Sequence, residues 1–281
     1  MQPHITQRIA FAFLLTAALI VIAPVLMIIG VMLKEGAGTV TWSFLMDIPR
    51  KGMREGGIGP AIVGTLLLVA GTMIISWPLG VLAAIYLAEY ATTNRFTRLV
   101  RLAIVNLAGV PSVVYGLFGL GLFVLFCHFG ASILAGSLTL AIMSLPVIIT
   151  ASEEALRSVP ASFREVSYSL GATRWQAVRH SVLPYALPGI LTGTILAVSR
   201  AAGETAPILF TVAALYLPRL PHSIFDQVMA LPYHLYVLST QVPRVSMATR
   251  YGTALVLLGL VLSLNVVAIV IRSHFRRKQR W

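Results

Sequence analysis

The chain has 281 residues, of which 58% are hydrophobic and 11% charged, with a mean hydropathy of +0.88. A soluble domain runs at roughly 45–50% apolar and about 25% charged, so a water-soluble globule is excluded. The single cysteine, Cys127, excludes an internal disulfide or a multi-thiolate metal site. The net charge of +12 reads as the positive-inside bias of a membrane protein and requires no nucleic-acid partner.

Six apolar runs reach the about 20 helical residues that a hydrocarbon core demands: Ile9–Leu33, Ala61–Leu87, Leu102–Cys127, Ala131–Ala151, Tyr185–Leu217 and Gly252–Ile271. Lipid offers no partner to an exposed backbone group, so each must be helical. The predicted fold class is all-α, a polytopic membrane protein with six transmembrane helices. The first run follows Arg8 and exceeds the roughly 7–15 residues of a signal-peptide core, so it reads as a retained helix. With the N-terminus inside, thirteen Arg and Lys fall in inner segments and seven in outer loops. That asymmetry predicts both termini in the cytoplasm.

Pro24, Pro78, Pro111, Pro146 and Pro207 lie inside apolar runs, where each removes a backbone donor and predicts a kink or a break. Gly189, Gly193 and Ala197, spaced by four, form a small-residue stripe that lets a neighbouring helix approach closely. His128, His222 and His234 read as interfacial residues, the last two beside Tyr233 and Tyr236. Ser223–Asp226 predicts the start of a short surface helix. The basic stretch from Arg272 to Arg280 forms a tail suited to topology or to anionic lipid.

Between the fourth and fifth runs, Ser152–Leu183 is too polar to cross and is written as two short helices. Ser162 and Glu165 have the spacing of a capping box, and Gly171 supplies a left-handed helix end. Thr173 and Gln176 repeat the box. Phe163, Val166 and Leu170 share one face, and Trp175, Val178 and Val182 the next. Such a pair either lies on the headgroups or docks a cytosolic partner.

Arg200 and Glu204 are the acidic and basic residues inside the six runs, and their spacing of four places both on one helix face. An arginine at mid-membrane costs about 2.5–3.5 kcal/mol on insertion scales. The pair is either a self-neutralising structural contact or an oxyanion site, since the arginine fork makes paired, charge-assisted hydrogen bonds. Ser112, just after Pro111, is a weaker candidate for the same path: its hydroxyl can donate, or merely cap its own helix.

These words resemble those of type I ABC importer permeases, the MetI-like fold. Glu165, Gly171, Leu183 and Pro184 match their EAA loop in register, while Val166, Ser167 and Ser181 depart from it. Ser199–Phe210, Gly109–Gly119 and Gly56–Thr65 resemble segments of the phosphate-specific permeases, the Gly-Glu-Thr-Ala-Pro word favouring the A-type over the C-type. The resemblance implies three domains: 1–55, a helix and first outer loop; 56–271, the permease core with a coupling segment near 160–180; and 272–281, the basic tail. It implies a heterodimer with a C-type permease, a homodimeric ATP-binding subunit, an extracytoplasmic phosphate-binding protein and the surrounding bilayer. It further implies ATPase coupling through Glu165, Gly171, Leu183 and Pro184, and a substrate path at Arg200, Glu204 and Ser112. No catalytic or metal residue is implied, and no cofactor on this chain, ATP and Mg belonging to the partner ATPase. No Gly-x-x-x-x-Gly-Lys-Ser/Thr phosphate loop occurs in the chain. A sister permease for molybdate or sulfate is the nearest alternative. A membrane subunit of a redox or ion-pumping complex is the more distant one, lacking the paired histidines or multiple intramembrane carboxylates it would need.

Overall fold

The computed structural model describes residues 3–92 and 94–277, so Lys278, Arg280 and Trp281 of the tail lie outside the described residues. Helix α1 (Pro3–Gly36) leads through a short turn to α2 (Trp42–Met46) and a two-residue hairpin, β1 (Pro49–Arg50) against β2 (Glu55–Gly56). Helix α3 (Gly59–Ile85) continues in a π-helical turn, Tyr86–Tyr90. Then come α4 (Arg95–Ala108), α5 (Ser112–Gly119) with a π-helical extension Leu120–Phe126, and α6 (Ile133–Arg157). Helices α7 (Ala161–Ser169) and α8 (Arg174–Ala177) follow, the latter running through Val178–Val182 into α9 (Leu183–Gly203). The chain ends with α10 (Ala206–Thr211), α11 (Leu231–Thr240) and α12 (Met247–Arg277).

Five helices among the described residues are long and apolar enough to cross a membrane, six if α4 and α5 count as one broken span. The bundle is organised around α6, whose two ends feed two cores. Leu140 and Met143 pack with Phe44, Ile58, Val212 and Leu231 under the hairpin and α11. Ile148 and Leu156 pack with Ile85, Val178, Val182 and Ile190 at the α7–α8 end. The N-terminus of α6 is closed from outside the helix: Ser132 Oγ accepts from Ala135 N, and the carbonyls of Asp226 and Ile224 accept from Ile133 and Leu134. These are donors that a helix start leaves without intrahelical partners. The small-residue stripe does what its spacing predicts. A Cβ on Gly189 or Gly193 would run into the Cβ of Ala155 or Ala151 on α6, and Ala197 is fully buried.

Several expectations change. The third run is not one helix: α4 and α5 meet at 103°. Pro111 stands at the N-cap of α5, and the Tyr115 hydroxyl reaches back to donate to Leu107 O (2.8 Å), pinning the bend. The fifth run stops at Gly203 instead of reaching Leu217, because Pro207 cannot donate to the Gly203 carbonyl and its ring would crowd it. Pro24, Pro78 and Pro146 lie within continuous helices. No helix begins at Ser223; Asp226 instead accepts from the N–H groups of His222 (2.8 Å) and Ser223 (3.1 Å), closing a turn. His234 is buried, 3% exposed within α11, so its ring faces protein and not the surroundings.

Candidate functional site

Arg200 sits in the last turn of α9, and Glu204 is the residue at which the helix ends, with extended backbone (ψ 136°). The spacing-of-four contact survives the break: Arg200 Nε donates to Glu204 Oε1 at 3.2 Å. Only Nε is engaged. The two terminal nitrogens of the guanidinium have no hydrogen-bond partner among the described residues, and the side chain is 33% exposed against 17% for Glu204. A cation is thus held and part-compensated, with a two-nitrogen fork left over for an anion. One residue earlier, Ser199 Oγ donates to Asn265 Oδ1 of α12 at 2.6 Å. That contact fastens the α9 end to the last helix, and periodicity gave no hint of it.

Ser112 is the first residue of α5 and is half-buried. No side-chain hydrogen bond caps that helix, and none joins Ser112 to the Arg200–Glu204 pair among the described residues. Helix α5 does pack against α10, just beyond the break: a Cβ on Gly116 would meet Phe210, Ala206 O and Pro207.

The second candidate set lies on the α7–α8 segment. Gly171 has φ +78°, the left-handed conformation its place after α7 requires. Its N–H donates to Tyr168 O and that of Ala172 to Ser167 O, closing the helix end. The Thr173–Gln176 box is complete in both directions (2.8 and 3.4 Å). The Ser162–Glu165 box is absent: Pro160 is the N-cap of α7, so Ser162 falls inside the helix. The N-cap therefore lies two residues ahead of the serine, and the helix opens at Ala161. Glu165 is exposed on α7, and its carboxylate makes no hydrogen bond or ion pair among the described residues. Val166 (60% exposed), Leu170 (82%) and Trp175 (47%) share that outer surface. Phe163 turns inward, its ring 4.7 Å from Tyr185. Leu183 and Pro184 open α9, half-buried, with Leu183 packed on the inner core.

Comparison with known proteins places this geometry. The profile described as "Binding-protein-dependent transport system inner membrane component" matches residues 76–281. The chain belongs to that family of membrane permeases. It is 33% identical over 285 residues to phosphate transport system permease protein PstA 1 of Mycobacterium tuberculosis, covering 100% of this chain and 92% of the relative. It is also 33% identical to the probable ABC transporter permease protein YqgI of Bacillus subtilis (95% of each chain). Among solved structures it resembles a bacterial alginate ABC transporter (TM-score 0.65, 15% identity, 97% of this chain and 95% of that one). The inward-facing methionine transporter MetNI is similar as well (TM-score 0.57, 18% identity, 78% and 94%). The permease fold is therefore established, and the family places the chain in the inner membrane as a multi-pass component.

The family region contains a further ionic system that sequence reasoning missed. Glu89, in the π-turn after α3 and 8% exposed, is gripped by Arg164 of α7 through Nη2 (2.6 Å) and Nε (3.2 Å to each oxygen). The same guanidinium donates to the carbonyls of Leu156 (2.9 Å) and Val159 (2.8 Å) at the end of α6. Glu153 bridges Arg101 (3.0 Å) and Arg157 (2.8 Å), and Arg101 also donates to Leu87 O. The signal available in the sequence was a lone acid just past the second apolar run, with nothing to name its partner. Among the described residues no group of three potential metal ligands forms.

Proposed function

We propose that the chain is the permease subunit of an ATP-driven importer of inorganic phosphate, forming half of a translocation path. Its partners are a C-type permease, a homodimeric ATP-binding subunit and an extracytoplasmic phosphate-binding protein. Both termini face the cytoplasm, so α7 and α8 lie on the ATPase side. Full-length similarity to phosphate permeases of the A-type supports the substrate. The observation that carries the reading is the Arg200 fork, half-neutralised by Glu204 at a helix break.

The chemistry follows from charge. Phosphate entering a path between two permeases meets the free edge of the Arg200 guanidinium, which can make two parallel charge-assisted hydrogen bonds. Glu204 keeps the empty site from being an unpaired cation and weakens anion retention, so that phosphate can leave. The break after Gly203 leaves backbone groups without helical partners at the same level, tolerable in a membrane where they line a path or face protein. ATP-driven closure of the ATPase dimer pushes on the exposed face of Val166, Leu170 and Glu165. Arg164 passes that displacement to α3 and α6, while Leu183 and Pro184 carry it into α9 and so to Arg200.

The complete complex in proteoliposomes, loaded with its binding protein, tests the substrate. Phosphate accelerates ATP turnover and accumulates inside, whereas molybdate and sulfate do neither. Equal response to molybdate or sulfate would assign the chain to a sister importer.

A further inference from the structure

Helix α4 is divided lengthwise. Val100 and Ile104 pack on the inner core, and Arg101 is tied inward to Glu153 and Leu87 O. The outer side lines an open groove of about 740 Å³, with Arg95 and Arg98 beside Asn94 and Thr97 at one end, Leu102 and Val105 at the other, and the Glu153-paired Arg101 at its inner edge. Arg95 and Arg98, three residues apart and so on neighbouring positions of one face, have no ion pair or side-chain hydrogen bond among the described residues. Apolar side chains stand exposed beside them, Phe96 at 72% and Leu99 at 64%. The 103° bend at Pro111 turns this helix away from the line of α5.

An unpaired arginine couple is costly within hydrocarbon, and exposed Phe and Leu are unfavourable in water. Both are satisfied where charge meets apolar chains, at the level of the headgroups. We propose that this groove holds one anionic phospholipid of the inner leaflet. Its phosphodiester lies between the Arg95 and Arg98 guanidiniums and its acyl chains cover Leu102 and Val105. Charge complementarity selects this occupant: the free charges at the polar end of the groove are the cations Arg95 and Arg98, beside the neutral Asn94 and Thr97, and its other end is apolar. The inner-leaflet placement rests on the topology proposed above and is independent of the transported substrate.

The test uses the complete complex, stripped of lipid and reconstituted in nanodiscs of phosphatidylcholine mixed with phosphatidylglycerol, with retained lipid counted by native mass spectrometry. The wild type retains phosphatidylglycerol in preference to phosphatidylcholine. Arg95→Gln with Arg98→Gln lowers that retention by about fivefold per arginine neutralised, whereas Arg95→Lys with Arg98→Lys keeps most of it and Arg272→Gln leaves it unchanged. Equal retention of both lipids by the wild type, or unchanged retention in the double Gln variant, overturns the proposal. So does loss of the second permease or the ATPase from the double Gln variant with lipid retention intact, which would make the groove a subunit contact. Nanodiscs have no sidedness, so topology is read separately: Arg98→Cys in a Cys127→Ser background resists an impermeant thiol reagent outside intact cells. Labelling there overturns the inner-leaflet placement even if headgroup selectivity holds.

Discussion

The Glu89 carboxylate and the Arg164 guanidinium are joined side by side across 75 residues of sequence, Arg164 Nη2 lying 2.6 Å from Glu89 Oε1. The acid is 5% exposed and the base 19% at the side chain. Arg164 also covers carbonyls at the end of α6, where a cation meets the negative end of the helix dipole. Three elements, the α3 extension, α6 and α7, therefore share one side chain. Removing one partner of such a pair leaves a poorly solvated charge and costs about 3–5 kcal/mol. Glu89→Ala and Arg164→Ala are expected to lower the unfolding temperature of the complex and to lose phosphate-stimulated ATP turnover, with basal turnover by the ATPase retained. A variant with normal stability and full coupling would remove Arg164 from the transmission route.

The outer face of α7 is predicted to be a contact surface whose substitution leaves the fold intact. Val166 and Leu170 are exposed, so replacing both by Ser changes stability by no more than about 0.5 kcal/mol per site. Co-purification of the ATPase subunit should nevertheless fall at least tenfold, and Glu165→Lys should act in the same direction. Gly171→Ala differs in kind: at φ +78° a Cβ costs about 1–2 kcal/mol, so it should loosen the turn and weaken coupling together. Unchanged ATPase recovery from the Val166, Leu170 double variant would contradict the docking role.

His234 sets a pH dependence. It lies on α11, between the last two candidate spans, and burial lowers its pKa from 6.5 to about 4 by penalising the charged form. Between those values the unfolded chain binds a proton that the folded chain refuses. The stability contributed by the neutral ring is complete above about pH 6.5 and drains away as the pH falls towards 4. The unfolding temperature should drop over that interval in the wild type and drop less in His234→Met, which removes the titration and keeps the volume. Parallel curves would show that this imidazole does not govern the acid limb.

What the sequence made legible divides along physical lines. Helix number and small-residue packing follow from local apolar length and spacing, so Gly189 and Gly193 land against α6 as their four-residue period requires. Gly171 and the Thr173–Gln176 box are equally local and are found in place. Helix breaks are less legible, because a proline inside an apolar run gives the same pattern whether the helix bends or ends. Pro78 and Pro146 are absorbed, whereas Pro111 and Pro207 mark interruptions. The Ser162 box failed because Pro160 starts α7 earlier than the serine. Pairings such as Glu89 with Arg164 and Ser199 with Asn265 are tertiary, and one chain read alone has no period that links them.

The most direct measurement is phosphate uptake by the reconstituted complex carrying Arg200→Gln. The variant keeps a polar, though shorter, side chain and removes the charge and the fork. It is predicted to assemble with all partners, retain basal ATP turnover and lose phosphate accumulation by a hundredfold or more, of the order expected for one lost charge-assisted pair worth about 3 kcal/mol. Arg200→Lys, a point charge without the fork, should recover only part of it. Wild-type accumulation in Arg200→Gln would contradict the assignment of this arginine to the path of the anion.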